Sequence, residues 1–114
     1  MKFPENIELY NVLHRLGSTA NHTGFFYIIS SVSLAVETPE RLLLVAKWLY
    51  PDVAKLYHTT GMAVERGICY EIARLWLKDP NRFQSVLEIP MNRRPTSSEF
   101  ISILTAYCSA GRAA

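Results

Sequence analysis

Little in this sequence points to special chemistry. It has 2 cysteines, Cys69 and Cys108, far apart and without CxxC spacing. No disulfide framework or zinc ribbon is encoded, and two reduced thiols are expected. The 3 histidines, His14, His22 and His58, are dispersed, and none pairs with a cysteine or carboxylate at ligand spacing. No metal site is expected. No GxSxG, P-loop or GxGxxG occurs, which leaves no case for an enzyme, a cofactor or a small-molecule substrate. Long apolar runs are missing too. The longest, Phe25 to Val36, is interrupted by Ser30, Ser31 and Ser33 and is too short to span a bilayer. Met1-Lys2-Phe3-Pro4 leads into charged residues rather than a signal sequence, so no membrane partner and a cytoplasmic location are expected. Charge of one sign is scarce as well. Twelve Lys and Arg against ten Asp and Glu give a net charge of +2, which permits a nucleic-acid partner without arguing for one.

What remains is the composition of a globular domain. The chain has 114 residues, 49% hydrophobic and 19% charged. That suffices for one core and is too apolar for a disordered chain. Apolar periodicity and end signals predict an all-α, single-domain helical bundle over residues 1–114. The first helix is expected over Glu5 to Leu16, stopped by Gly17. After a polar loop, Ser18 to Thr23, a second helix over Gly24 to Val36 is apolar nearly all round, so it belongs at the centre. Thr38-Pro39-Glu40 reads as an N-cap hydroxyl, a first-turn proline and an acid, opening a third helix to Leu49. Short helices are expected from Pro51 to His58 and from Pro80 to Leu87, and a long one from Gly61 to Lys78. Asp52 and Asp79 read as helix-start residues. Thr96 and Glu99 have capping-box spacing and open a last helix to about Ser109. Trp48, Tyr50, Tyr57 and Trp76 are expected in the core rather than as stacking platforms for single strands.

The segment with functional content is a helix-turn-helix over about residues 51–78. A steep crossing of two helices needs a small residue on the first, supplied by Ala54, and an apolar plug from the second, supplied by Val64. Val53, Leu56 and Tyr57 complete the inner face of the first helix. Val64, Ile68, Ile72 and Leu75 form that of the second. The opposite face shows Met62, Glu65, Arg66, Cys69, Tyr70 and Arg74. Such a face can enter a major groove, where Arg66 can reach guanine O6 and N7 in a bidentate way and Glu65 can accept from a cytosine amine. The same residues also suit an ordinary solvated helix face.

Three separated motifs carry a resemblance. They are Leu49-Tyr50-Pro51-Asp52-Val53-Ala54-Lys55 with Thr59-Thr60 and Val64-Glu65-Arg66, then Arg94-Pro95-Thr96-Ser97-Ser98-Glu99-Phe100-Ile101, and, nearer the start, Leu16-Gly17, His22 and Gly24-Phe25-Phe26-Tyr27. Together, in this order, they resemble the C-terminal effector domain of the stage-zero sporulation protein A family, over nearly the whole chain from about Val12. The resemblance implies an all-helical domain that binds short boxes in double-stranded DNA, often in tandem, and controls transcription. A homodimer on tandem sites would follow. By the same resemblance Glu65 and Arg66 are base-reading positions, Arg94 reaches the DNA, and His22 holds a structural hydrogen bond. Met62, Cys69 and Tyr70 line the reading face as further base contacts, and Lys55 and Arg93 join Arg94 as phosphate contacts.

The sequence also departs from that family. Where members tend to carry serine and basic or histidine residues on the reading face, this chain has Met62, Ala63, Cys69 and Tyr70. Fewer basic groups mean weaker, less salt-dependent binding. No receiver domain is expected within 114 residues. Two readings therefore stay open: a sequence-specific DNA-binding regulator, or a homologue impaired in DNA binding that acts as a protein-interaction module on a full-length regulator.

Overall fold

The computed structural model describes the backbone of residues 7–113 and the side chains of residues 7–109; the expected start of the first helix at Glu5 lies outside them. Among the described residues there are six α-helices and no strand: α1 Ile7–Leu16, α2 Thr23–Glu37, α3 Tyr50–Leu56, α4 Gly61–Lys78, α5 Pro80–Leu87 and α6 Ser97–Ala113.

Most boundaries follow from local chemistry. Gly17 adopts φ +101°, and the Ser18 N–H reaches back to the Leu13 carbonyl at 2.8 Å. This is the left-handed closure that satisfies the last carbonyls of α1. His58 (φ 55°) and Glu88 (φ 57°) close α3 and α5 in the same way, through Thr59 N–H to the Ala54 carbonyl and Ile89 N–H to the Gln84 carbonyl. At the other ends, Thr60 Oγ1 accepts from the Ala63 N–H and Asp79 Oδ1 from the Arg82 N–H. Thr96 and Glu99 complete their box in both directions, at 2.8 and 3.1 Å. Each bond occupies an N–H that the helix itself leaves open.

The central helix is α2, which packs against α4 and α6. Phe25, Ile28, Ile29 and Val32 are buried along it, meeting Val64, Ile68, Ile72 and Leu75 from α4 and Phe100, Ile101 and Leu104 from α6 in one core. The crossing of α2 and α4 is close because two glycines make it. A Cβ on Gly24 would stand 2.6 Å from the Gly67 carbonyl oxygen, and one on Gly67 would stand 2.7 Å from the Tyr27 ring. Arg82, from α5, donates through Nε to the Arg15 carbonyl at the end of α1, at 2.7 Å.

The third expected helix is not an α-helix. Residues Pro39–Leu44 form a 3-10 helix and Val45–Leu49 a π-helical turn. The expected Thr38 hydroxyl cap is not made. The reason lies just beyond the segment. Pro51 has no N–H to give the Lys47 carbonyl, so an α-helical ladder cannot run unbroken from here into α3. The chain widens instead, with the Tyr50 N–H bonding the Val45 carbonyl, and Leu49 and Tyr50 both turn inward, at 0% and 1% exposure. Trp48, expected in the core, is left 41% exposed, and Leu43 and Leu44 are exposed as well. Of the four expected core aromatics, Tyr50 is fully buried, while Tyr57 and Trp76 are half-buried against the core.

Candidate nucleic-acid interface

Helices α3 and α4 are joined by the four residues between Leu56 and Gly61 and pack against each other. Val53, Ala54 and Val64 are buried at their contact, as the helix-turn-helix pattern requires. Tyr57 points away from the turn. Its ring meets Tyr27 edge-on at 5.3 Å, and its hydroxyl lies 2.6 Å from Ser30 Oγ and donates to the Phe26 carbonyl. Leu56 does not join the inner face and is exposed. With positions 53, 54 and 57 inside, the 3.6-residue period places 55 and 56 outside.

The outer face of α4 carries Met62, Glu65, Arg66, Cys69 and Tyr70, all exposed. Their spacing sets them along one side of the first three turns. Among the described residues, the side chains of Glu65 and Arg66 have no hydrogen-bond or ion-pair partner, so both are available to a ligand. The Thr60 cap leaves the start of α4 regular, and Arg66 stands one turn inside it.

Arg74 departs from the expected face. It is half-buried and turned inward, its Nε and Nη2 donating to Glu71 at 3.2 and 2.7 Å. Glu71 itself is fully buried and also accepts from Ser18 Oγ at 2.5 Å. Burial pushes its carboxyl pKa up, but the bonds from Arg74 and Ser18 more than offset this and hold it below the ordinary value. Sequence reasoning missed this pair. The signal was present: position 71 falls on the inward stripe of Val64, Ile68, Ile72 and Leu75, and an acid there needs a partner. The structural hydrogen bond expected for His22 is not made at Nδ1, which is buried without a partner.

The three other expected contact residues differ from one another. Lys55 is exposed and lies 3.8 Å from Asp52, which also pairs with Arg41 at 3.3 Å. Arg93 forms a bidentate pair with Glu99, at 2.9 and 3.0 Å. The arginine, with the Thr96 N–H, lowers the Glu99 carboxyl to about 2. Arg94 is exposed, and its guanidinium is unpaired among the described residues. Its loop is anchored on both sides. The Met91 N–H bonds Gln84 Oε1 at 2.7 Å, and Tyr50 donates its hydroxyl to Ser97 Oγ at 2.8 Å. Burial raises the Tyr50 hydroxyl to about 12, against the lowering effect of Ser97, so it stays a neutral donor.

A capped helix packed behind a short turn against α3 defines a helix-turn-helix domain, the class of fold that can present a helix to a DNA groove. The comparison with known families makes this particular. The family described as sporulation initiation factor Spo0A C terminal matches residues 9–108. The chain belongs to that family of DNA-binding effector domains of sporulation regulators. Double-stranded DNA is accordingly its class of partner. Among the described residues no helix is long and apolar enough to cross a membrane.

Proposed function

We propose that the chain acts as one domain and reads specific sequences in double-stranded DNA with the outer face of α4. Glu65 and Arg66 make the principal base contacts. Met62, Cys69 and Tyr70 complete the face, with Met62 and Tyr70 suited to thymine methyls and the sugar backbone. Lys55 and Arg94 contact phosphates on either side, and Arg93 reaches a phosphate only by leaving Glu99. Two copies bind side by side on tandem boxes.

The observation that carries this reading is the exposed, unpaired Glu65–Arg66 pair one turn inside a capped helix. Fluorescence anisotropy on a labelled duplex with a tandem sporulation-type box, a scrambled duplex and a salt series tests it. Binding should favour the box and weaken as salt rises. Arg66→Ala should lose about 1–3 kcal/mol on the box and relax base choice. Unchanged affinity and preference in that variant would remove Arg66 from the reading set.

A second reading has its own support. Met62 and Tyr70 are 64% and 69% exposed, and large uncharged side chains on an outer face suit a protein partner. On that reading the domain modulates a full-length regulator. Equal weak binding to both duplexes, with no site emerging from a selection on random duplexes, would favour it.

A further inference from the structure

Glu71 has no part in the reading just proposed, yet it lies on the reading helix and is fully buried. Its partner Ser18 is also fully buried and sits 53 positions away, in the loop between α1 and α2. That loop runs beside the reading face. Asn21, His22 and Thr23 form one wall of a cleft, and Arg66 and Tyr70 form the other; Glu71 lines it too.

The start of α2 is seated at the same level. A Cβ on Gly24 would meet the Gly67 carbonyl oxygen at 2.6 Å and Glu71 Cβ at 2.7 Å, so the backbone of α2 lies directly against α4 there. The Ser18–Glu71 bond ties down the loop just before that contact. An apolar side chain at position 71 would fill the stripe as Ile68 and Ile72 do, and buried ion pairs are often replaceable by apolar residues without loss of stability. Stability alone therefore does not account for an acid here. What it adds is a directional bond to the loop.

We propose that Glu71 is a positioning residue for DNA recognition: through Ser18 it holds the loop against α4, so that Asn21 and Thr23 share one fixed DNA-facing surface with Arg66 and Tyr70. This rests on the base-reading role of Arg66 proposed above. Asn21 and Thr23 are exposed, and both can donate to phosphate oxygens.

Ser18→Ala deletes the hydroxyl alone. Glu71→Met removes the acid at similar length, and Glu71→Gln keeps an acceptor for Ser18. Each variant is measured by thermal melting, by amide hydrogen exchange without DNA, and by anisotropy on two duplexes: one selected from a random pool by the wild-type protein, and its scrambled counterpart. In Ser18→Ala, amides of residues 17–23 should exchange about tenfold faster in a protein that remains folded. The ratio of selected to scrambled affinity should fall by about the same factor. Glu71→Met should repeat the loss, and Glu71→Gln should recover most of it. Folded Ser18→Ala and Glu71→Met proteins with the wild-type ratio would overturn the proposal and leave Glu71 a structural acid. If the wild-type protein itself prefers no duplex, the reading role of Arg66 falls, and the recognition role of Glu71 falls with it. Unchanged exchange in Ser18→Ala would refute the loop clamp by itself, whatever the DNA result.

Discussion

Glu71 with Arg74 on α4, and Glu99 with Arg93 at the start of α6, form salt bridges of nearly equal length, 2.7 and 2.9 Å. Their surroundings differ sharply. The Glu71 side chain is 1% exposed, the Glu99 side chain 47%. In the buried pair the carboxylate depends on its partner, because water cannot replace a lost arginine there. In the exposed pair water can, so the ion pair adds little and the useful bond is the one Glu99 makes to the Thr96 N–H. The buried acid also joins distant parts of the chain, through Ser18, whereas the exposed one finishes a single helix.

The sharpest way to break this contrast is Arg74→Ala, which strands a buried carboxylate. It should lower unfolding stability by about 3 kcal/mol in urea melts. Glu71→Met should lose less, since Arg74 is 25% exposed and can turn to water. Equal losses would show that the arginine is as confined as the acid. Next in size is Gly24→Ala, which forces a methyl against the Gly67 carbonyl beside the buried pair. Overpacking of this kind should lower stability by about 2 kcal/mol and shift the amide resonances of both helices. Thr60→Ala removes the single side-chain cap of α4 and should lower stability by about 1 kcal/mol.

The smallest effect belongs to the exposed pair and shows in pH dependence. Glu99 titrates at about 2 in the folded protein against 4.5 ordinarily. A depressed carboxylate stabilises the fold fully above its unfolded value, and that contribution is lost as pH falls from 4.5 toward 2. Glu99→Gln should flatten this part of the acid titration, its small loss of stability being present at neutral pH and vanishing as pH falls toward 2. A Glu99→Gln protein that retained the full acid slope would place the titration elsewhere.

Helix ends were legible in the sequence because caps are local. Gly17, Thr60, Asp79 and the Thr96–Glu99 box each act within a few residues. The helix-turn-helix was legible for a related reason, since small and apolar residues at helical spacing specify its packing whatever lies further off. The segment from Pro39 to Leu49 was not, because its form depends on where the donors of the next helix run out. Nor was the inward turn of Arg74. Whether a charge on an inner stripe is satisfied depends on its partner, and half of that partnership, Ser18, comes from another part of the chain. Of the candidate contact residues, the sequence indicated which would face outward on α4. It could not show that Arg93 is engaged by Glu99 while its neighbour Arg94 is free.

The bond from Tyr50 to Ser97 joins the base of α3 to the first residue of α6 and so ties the two halves of the proposed surface. If Arg66 and Arg94 both touch DNA, the distance between them is a fixed span, set by protein and not adjustable by the ligand. A duplex advances about 3.4 Å along its axis with each base pair. One pair inserted between the two contact points would move the second out of reach and rotate it around the helix. Such a domain measures its site as well as spelling it, and its tolerance for spacing should be far narrower than its tolerance for single base changes.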